Sequence, residues 1–448
     1  MKKQFMLLGL LFMAGTLFAC GGGEKTTTTT KPNVTTTKND GYIKDDVDID
    51  LHGQDFIIMA NEPSTADPRN DEYTGVNKDA KMDRIEYVEE TYNCKVKYVN
   101  YPVGWGSQRD TWIIENSIAG TPAAHVFEIS TSSVATLALN DAILPLDEFI
   151  RKFKMDDLYI GFSRDYGKFL DKTYTYTDRV PFNDNVLFYN KDLLLENGIE
   201  EANLPANLWN RGEWTWSKFK EYATLFNQKF QGSDKYFMSG RNYDYAYQFI
   251  NANGVAMVDS NLQCNIKTPE SIEAMQFIAD LYKIGNNVFK DDSPREDTCD
   301  PIFKDGKSIF QWGQTWYARN AGKLKNVEFN LDAVPVPYND KKAGVTKENF
   351  METYSQVTVW GAATFVISSA YSIDNIPEGM ENDLIHGETI FKIWNDLQDF
   401  SLELDYVKEL HIAENYKDSY TSQESVKAHE SIMMAHRLDL LYSLGELL

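Results

Sequence analysis

Two periods of hydrophobic and polar positions alternate along the chain from residue 51 onward. Short apolar runs suit strands, and apolar residues spaced three and four apart suit one face of a helix. Gln54 to Met59, after Gly53, predicts a strand. Residues 79–92 place Met82, Ile85, Val88 and Tyr92 on one stripe and predict a helix. Cys94 to Tyr101 sets Val96, Tyr98 and Asn100 against Lys95, Lys97 and Val99, a second strand. Arg109 to Ala119 predicts a helix stopped by Gly120 and Pro122. Val126 to Ile129 predicts a third strand and Ala135 to Leu139 a short helix. This βαβαβ succession argues for an α/β fold with a parallel, doubly wound sheet.

The alternation resumes further on. Val186 to Tyr189 reads as a strand, followed by a helix from Lys191 to Asn197 that Gly198 closes. Thr215 is placed to cap a helix carrying Phe219, Tyr222, Leu225, Phe226 and Phe230. The clearest helix has Thr268 as cap, Pro269 at its first position and Glu270 in its first turn. Its expected buried stripe is Ile272, Met275, Ile278, Leu281 and Tyr282, with Gly285 closing it. Ser308 to Gln311, Leu331 to Val336 and Gln356 to Ile367 read as strands, and the chain from Gly387 onward as mostly helical.

The beginning of the chain follows neither period. Lys2 and Lys3 precede an apolar run from Phe5 to Phe18, too short to span a bilayer comfortably. Small residues follow around Ala19-Cys20-Gly21, so residues 1–19 read as a secretory signal peptide. Residues 20–50 hold few large apolar side chains and include Thr26 to Thr30 and Thr35 to Thr37. Such a segment cannot offset its ordering entropy by burial, and reads as a flexible linker. A coil of that length spans roughly 30 Å on average and about 100 Å when extended. A cysteine at the first mature position resembles the bacterial lipobox, and that resemblance implies lipid on Cys20 and a cell-membrane anchor on the extracytoplasmic face. An ordinary signal peptide with an incidental cysteine is the alternative.

Composition narrows the function. Without residues 1–19 the chain keeps 429 residues, enough for two or three domains. The net charge of −23 becomes −25 once Lys2 and Lys3 leave with the signal. Long-range repulsion then opposes nucleic acid and anionic lipid surfaces as partners. Beyond Cys20 there are only Cys94, Cys264 and Cys299, and no CxxC, which argues against structural zinc. A Cys264–Cys299 disulfide stays open. There is no GxSxG and no HExxH; His429-Glu430 with His436 does not match a zincin spacing. Asp46, Asp48 and Asp50 begin like a calcium loop, but glycine is missing at the sixth place and Ile57 stands where glutamate is needed. No metal, no cofactor and no catalytic activity are expected.

Five stretches, in order, carry a resemblance to a family. They are Arg84-Ile85-Glu86-Tyr87-Val88-Glu89-Glu90-Thr91-Tyr92 with the strand after it; Ile118-Ala119-Gly120-Thr121-Pro122-Ala123-Ala124-His125-Val126; and Ala142-Ile143-Leu144-Pro145-Leu146-Asp147-Glu148-Phe149. The fourth is Val186-Leu187-Phe188-Tyr189-Asn190-Lys191-Asp192-Leu193 with Gly198-Ile199 and Trp214-Thr215-Trp216. The fifth is Phe303-Lys304-Asp305-Gly306-Lys307-Ser308 leading to Trp316 and Val334-Pro335-Val336-Pro337. Together these resemble the extracellular solute-binding proteins of bacterial ABC importers, in the class that binds sugars (family 1). Asn93 departs from a common glycine, His125 stands nearest a usual aspartate, Asn210 to Glu213 interrupt the approach to the Thr-Trp pair, and the chain after residue 380 matches poorly.

The resemblance implies a periplasmic-binding-protein-like fold, two lobes joined by crossing hinge strands with the ligand in the cleft between them. Expected boundaries are 51–178 for the first segment of lobe I, 179–345 for lobe II, 346–405 for the return to lobe I, and 406–448 for C-terminal helices. The implied function is capture of a sugar or oligosaccharide and delivery to the permease subunits of an ABC importer, by a monomer. A peptide or other small solute on the same scaffold, and a surface glycan-degrading or adhesion lipoprotein, are the alternatives. Sugars need aromatic platforms and fork-like polar groups. Among 25 Tyr, 25 Phe and 9 Trp, the candidates are Trp105, in the loop Gly104-Trp105-Gly106, with Trp312, Trp316 and Trp360. Glu128, Ser130 and Thr131 fall at the carboxyl end of the third strand. Arg241, Asp244 and Asn253 are polar positions among Tyr243, Tyr245 and Tyr247, readable either as ligand contacts or as a solvated helix face.

Overall fold

The computed structural model describes residues 49–73, 78–153, 167–175, 185–259, 261–291, 300–342, 363–376, 385–398, 418–432, 439 and 441. The signal peptide, Cys20, the linker as far as residue 48, Cys299, Trp360 and His436 lie outside the described residues.

Two sheets organise the described chain. Their strands are β1 (Asp55–Ala60), β2 (Lys95–Asn100), β3 (Val126–Ser130), β4 (Asn185–Asn190), β5 (Tyr236–Ser239), β6 (Phe289–Lys290), β7 (Ser308–Gln314), β8 (Leu331–Val334) and β9 (Ala363–Val366). The helices that cover them include α1 (Lys78–Thr91), α2 (Ser107–Ile118), α3 (Val134–Leu139), α4 (Lys191–Glu196), α5 (Trp216–Lys229), α6 (Asn242–Ala252), α7 (Pro269–Tyr282), α8 (Gly387–Gln398) and α9 (Gln423–Ile432).

The first sheet runs β9-β3-β1-β2. Strands β1 and β2 pair in parallel from Asp55↔Lys95 to Ala60↔Asn100, and β3 joins β1 in parallel. Alternation along the strands sends side chains to both faces. Phe56, Ile58, Val96 and Val126 pack with Ile85 and Val88 of α1 and Ile390, Ile393 and Trp394 of α8. Met59, Phe127 and Ile129 pack on the other face with Ile113 of α2 and Val134 and Leu137 of α3. A sheet covered on both sides is what a parallel arrangement requires.

The second sheet runs β8-β4-β7-β5-β6. Its core is aromatic: Phe219, Phe237 and Phe310 are fully buried, with ring centroids 4.8–5.4 Å apart. Each such ring contributes roughly 1.5–3 kcal/mol by leaving water.

Both sheets are mixed rather than wholly parallel. β9 runs antiparallel to β3, and β4 antiparallel to β7 and β8. β9 follows β8 of the other sheet, so it is not tied by a helical crossover to the direction of its neighbour β3. The chain passes between the two sheets three times: between Thr175 and Asn185, between Lys342 and Ala363, and between Gln398 and Asp418, all in segments outside the described residues. After the last passage α9 docks on the second sheet's body. Asp332 accepts from the Thr421 and Ser422 N–H groups at 2.9 Å, and Trp209 donates to Ser431.

Helix ends match the residue chemistry. Thr215 Oγ1 accepts from Lys218 N–H at 3.3 Å, and Thr268 Oγ1 from Ser271 N–H at 3.4 Å. Each such cap contributes about 1 kcal/mol. The buried stripe of α7 differs from the expected one: it is Ser271, Ala274, Ile278 and Leu281, while Ile272 is exposed. Small residues at 271 and 274 let α7 lie close to its neighbour. Gly285 sits beyond the helix, where a β-carbon would come within 2.4 Å of the Asn227 amide. In α1, Ile85 and Val88 are buried, as is Tyr92 just after it, but Met82 is exposed in the first turns. No described helix is long and apolar enough to cross a membrane.

Candidate functional site

The carboxyl ends of the first sheet's parallel strands gather one polar cluster. β1 ends at Ala60, and the next residue, Asn61, donates its backbone N–H to Glu128 Oε2 at 2.9 Å. Glu128 is 5 % exposed on β3, and its carbonyl accepts from the Tyr101 hydroxyl at 2.7 Å. Tyr101 follows β2, and the glycine-flanked Trp105 follows Tyr101. Gly106 adopts φ +86, a conformation open to glycine and strained for other residues. The chain then enters α2, whose Arg109 is only 4 % exposed. The Arg109 guanidinium carbon lies 3.8 Å from the Tyr101 ring centroid and 4.3 Å from that of Trp105, both within cation–π range. Its Nη2 donates to Asn61 Oδ1 at 2.9 Å, while Nε and Nη1 are buried without a hydrogen-bond partner. Burial lowers the Arg109 pKa, and the nearby Tyr101, Glu128 and Asp110 oppose that shift. Ser130 Oγ accepts from Ser132 N–H at 3.2 Å, closing the turn after β3, and Thr131 is buried in that turn.

A second cluster lies at the corresponding ends of β5 and β7. Arg241, just past β5, places Nε 2.7 Å from Asp244 Oδ2, and both residues are buried. The solvated-face reading of this stretch is therefore overturned: Arg241, Asp244 and Asn253 are all buried, because they lie where α6 meets the sheet and its neighbours. Asn253 is tied to the fold by hydrogen bonds to the Glu270 carbonyl and from Asn339. Tyr243 is exposed, with the Arg241 guanidinium carbon 4.7 Å from its ring centroid. Trp316, two residues beyond β7, is 37 % exposed; its Nε1 donates to Gln314 Oε1 at 3.0 Å and its ring meets Tyr317 edge-on. Trp312 is within β7, 2 % exposed, its backbone N–H donating to the Tyr245 hydroxyl at 3.1 Å. Its indole belongs to the buried body of the sheet.

Exposure separates these rings from the rest. Among the described residues, the aromatic side chains classed as exposed are Trp105, Tyr243 and Trp316. Each follows the carboxyl end of a strand, β2, β5 and β7 respectively. Open α/β sheets bind ligands outside those ends. Sequence reasoning selected Trp105 and Trp316 but passed over Tyr243, Asn61, Tyr101 and Arg109. Arg109 looked like an ordinary helix-start residue. Its position eight residues after Tyr101 and four after Trp105 is a signal, but one readable only once the loop's path is known.

His125, the residue nearest the family's usual aspartate, has a structural environment. Its Nδ1 accepts from Ile57 N–H at 2.9 Å, and its ring stacks on Phe56 and Tyr371. Burial pulls its pKa down to about 4. Cys264 is exposed and free, and Cys94 is buried and free, while Cys299, the other half of the possible pair, lies outside the described residues. His429 is buried and 3.1 Å from the Tyr420 hydroxyl. The described residues hold no group of three His, Cys, Asp or Glu side chains placed to bind a metal.

The fold recurs in solved structures. A cyclic alpha-maltosyl-1,6-maltose binding protein from Arthrobacter globiformis is similar with a TM-score of 0.59 and 15 % identity, over 88 % of this chain and 90 % of that one. The sugar-binding protein MalE from Xanthomonas citri is similar with a TM-score of 0.55 and 13 % identity, over 88 % and 90 %. An ABC substrate-binding protein from Listeria monocytogenes, solved with cycloalternan, has a TM-score of 0.51 and 14 % identity over the same shares. No curated protein matches the sequence. The mixed sheets and the three passages between them are thus the fold of periplasmic binding proteins of the MalE type. Residues 72–372, more than half of the chain, match the family of bacterial extracellular solute-binding proteins, and the chain belongs to that family.

Proposed function

We infer that the protein is an extracytoplasmic receptor that captures a sugar or oligosaccharide between its two lobes and hands it to an ABC importer. The observation that carries this reading is the placement of the exposed aromatic rings, Trp105, Tyr243 and Trp316, at strand carboxyl ends beside buried polar groups. Exposed rings suit the C–H faces of a pyranose, Glu128 and Arg109 supply an acceptor and donors for its hydroxyl rim, and the Arg241–Asp244 pair backs the Tyr243 ring. The carbohydrate named for the Arthrobacter relative supports the ligand class. Ser130 and Thr131 complete the first cluster, and Trp360 is kept as a candidate. Hinge closure on ligand then presents a distinct shape to the permease. Binding without catalysis, by a monomer with no cofactor, is part of the same reading.

The test is a thermal-shift screen against carbohydrates and peptides, followed by titration calorimetry. Saturable one-to-one binding of a sugar without turnover supports the receptor. Hydrolysis of the oligosaccharide, or a response to peptides alone, overturns it.

The lipid anchor on Cys20 belongs to this proposal. Cys20→Ser is expected to release the protein from the membrane or leave its signal uncleaved. Normal processing together with membrane retention would remove the anchor assignment.

A further inference from the structure

Arg109 offers hydrogen-bonding capacity that the protein itself leaves unused. Its guanidinium is buried, one nitrogen is taken by Asn61, and Nε and Nη1 meet no acceptor. Buried charges are ordinarily paired and hydrogen-bonded, since isolation in a low-dielectric interior costs several kcal/mol. Two carboxylates, Glu128 and Asp110, lie near enough to act on its charge, yet Arg109 donates a hydrogen bond to neither. Asn61 stands between Arg109 and Glu128, accepting from the first and donating to the second. The cluster thus has an idle donor edge beside a carboxylate, and its two carboxylates already exceed its one cation. An incoming carboxylate, sulfate or phosphate would add negative charge where the balance is already negative. A hydroxyl pair would not: one oxygen accepts from Arg109, and a neighbouring O–H donates to Glu128.

Trp105 covers the guanidinium in this conformation. The ring is 47 % exposed and sits in a loop between Gly104 and Gly106, outside the packed core.

We propose that Arg109 and Glu128 together read the vicinal hydroxyls of a neutral sugar, with Trp105 leaving the guanidinium to admit them, and that this cluster excludes acidic sugars. The inference rests on the sugar-receptor reading and narrows its ligand class.

The experiment measures thermal shift and calorimetric affinity on the purified protein with neutral and acidic oligosaccharides. The neutral set is malto-, cello-, xylo- and manno-oligosaccharides; the acidic set is oligogalacturonates and glucuronate-bearing xylo-oligosaccharides. The expected result is binding confined to neutral sugars. Arg109→Gln should weaken the best neutral ligand about thirtyfold at an unchanged or raised ligand-free unfolding midpoint. Arg109→Lys, which keeps the charge but loses the fork, should weaken it similarly and serves if the glutamine variant does not fold. Glu128→Gln should reduce the preference for neutral over acidic sugars about tenfold. Acidic oligosaccharides binding as tightly as neutral ones, or Arg109 variants that bind normally, overturn the proposal and leave the sugar receptor standing. No response to any carbohydrate overturns the receptor reading itself.

Discussion

At the end of β5, Arg241 is buried against Asp244 at 2.7 Å; in the loop and helix beyond β2, Arg109 is buried to the same degree with no carboxylate hydrogen-bonded to it. The two clusters draw on the same residue types at corresponding ends of parallel strands. They differ in whether the charge is neutralised within the protein. The Arg241–Asp244 pair balances its charge within the protein at the start of α6, whereas Arg109 meets a neutral amide oxygen and two aromatic rings. Burial alone does not distinguish the two arginines; the groups that meet the charge do.

The largest expected effect breaks that comparison directly. Asp244→Asn removes the carboxylate that balances Arg241 and should cost about 3–5 kcal/mol of stability. Arg109→Met removes a buried charge that has no such partner and should leave stability unchanged or raise it, by up to about 4 kcal/mol. Urea unfolding of both variants measures the contrast. Equal losses would mean that Arg109 is as structural as Arg241.

An acid titration separates the two bodies next. His125, in the first, has its folded pKa lowered to about 4 from an ordinary 6.5. Its stabilising contribution is therefore complete above pH 6.5 and lost as pH falls toward 4, by up to about 3 kcal/mol. Protonation also breaks the bond that Nδ1 accepts from Ile57. In the second body, burial raises the pKa of Asp332 and Asp439. Their contribution has the opposite sign: fully present below the unfolded carboxylate pKa and lost as pH rises through the folded one. Acid should loosen the first sheet before the second, as seen by hydrogen exchange at pH 4–5. His125→Gln should flatten the decline in unfolding midpoint between pH 6.5 and 4. An unchanged slope would assign the acid sensitivity elsewhere.

The smallest expected effect concerns the exposed rings. Trp316→Ala should weaken sugar binding by about 2 kcal/mol, roughly thirtyfold, with the ligand-free unfolding midpoint nearly unchanged. Trp105→Ala should weaken it less, since its removal also frees the Arg109 edge it now covers. A Trp316 variant that unfolds early while its folded fraction binds normally would place that ring in the core.

Much of the fold was legible locally. The period-3.6 stripe of α1, the caps at Thr215 and Thr268, and the order β1-α1-β2-α2-β3 follow from short-range sterics and hydrogen bonding, so residues near in sequence suffice to read them. The stripe of α7 was misread because Ile272 and Met275 look like core while the packing favours Ser271 and Ala274. Closeness of a neighbouring helix is not written in the helix itself. The antiparallel entry of β4 and β9 was likewise missed, since strand direction depends on the path of the chain between the sheets.

At the site the division is the same. By itself the sequence determined the family likeness, the strand ends at which Trp105, Glu128 and Trp316 fall, and the aromatic supply, because these depend on order and residue type. Only the tertiary structure decided that Trp312 is core while Trp316 is exposed, that Arg241 is paired with Asp244, and that Arg109 lies against Tyr101 and Trp105 with donors unused. Those outcomes depend on which groups meet from strands far apart in the chain, and burial and pairing are properties of that meeting rather than of any residue alone.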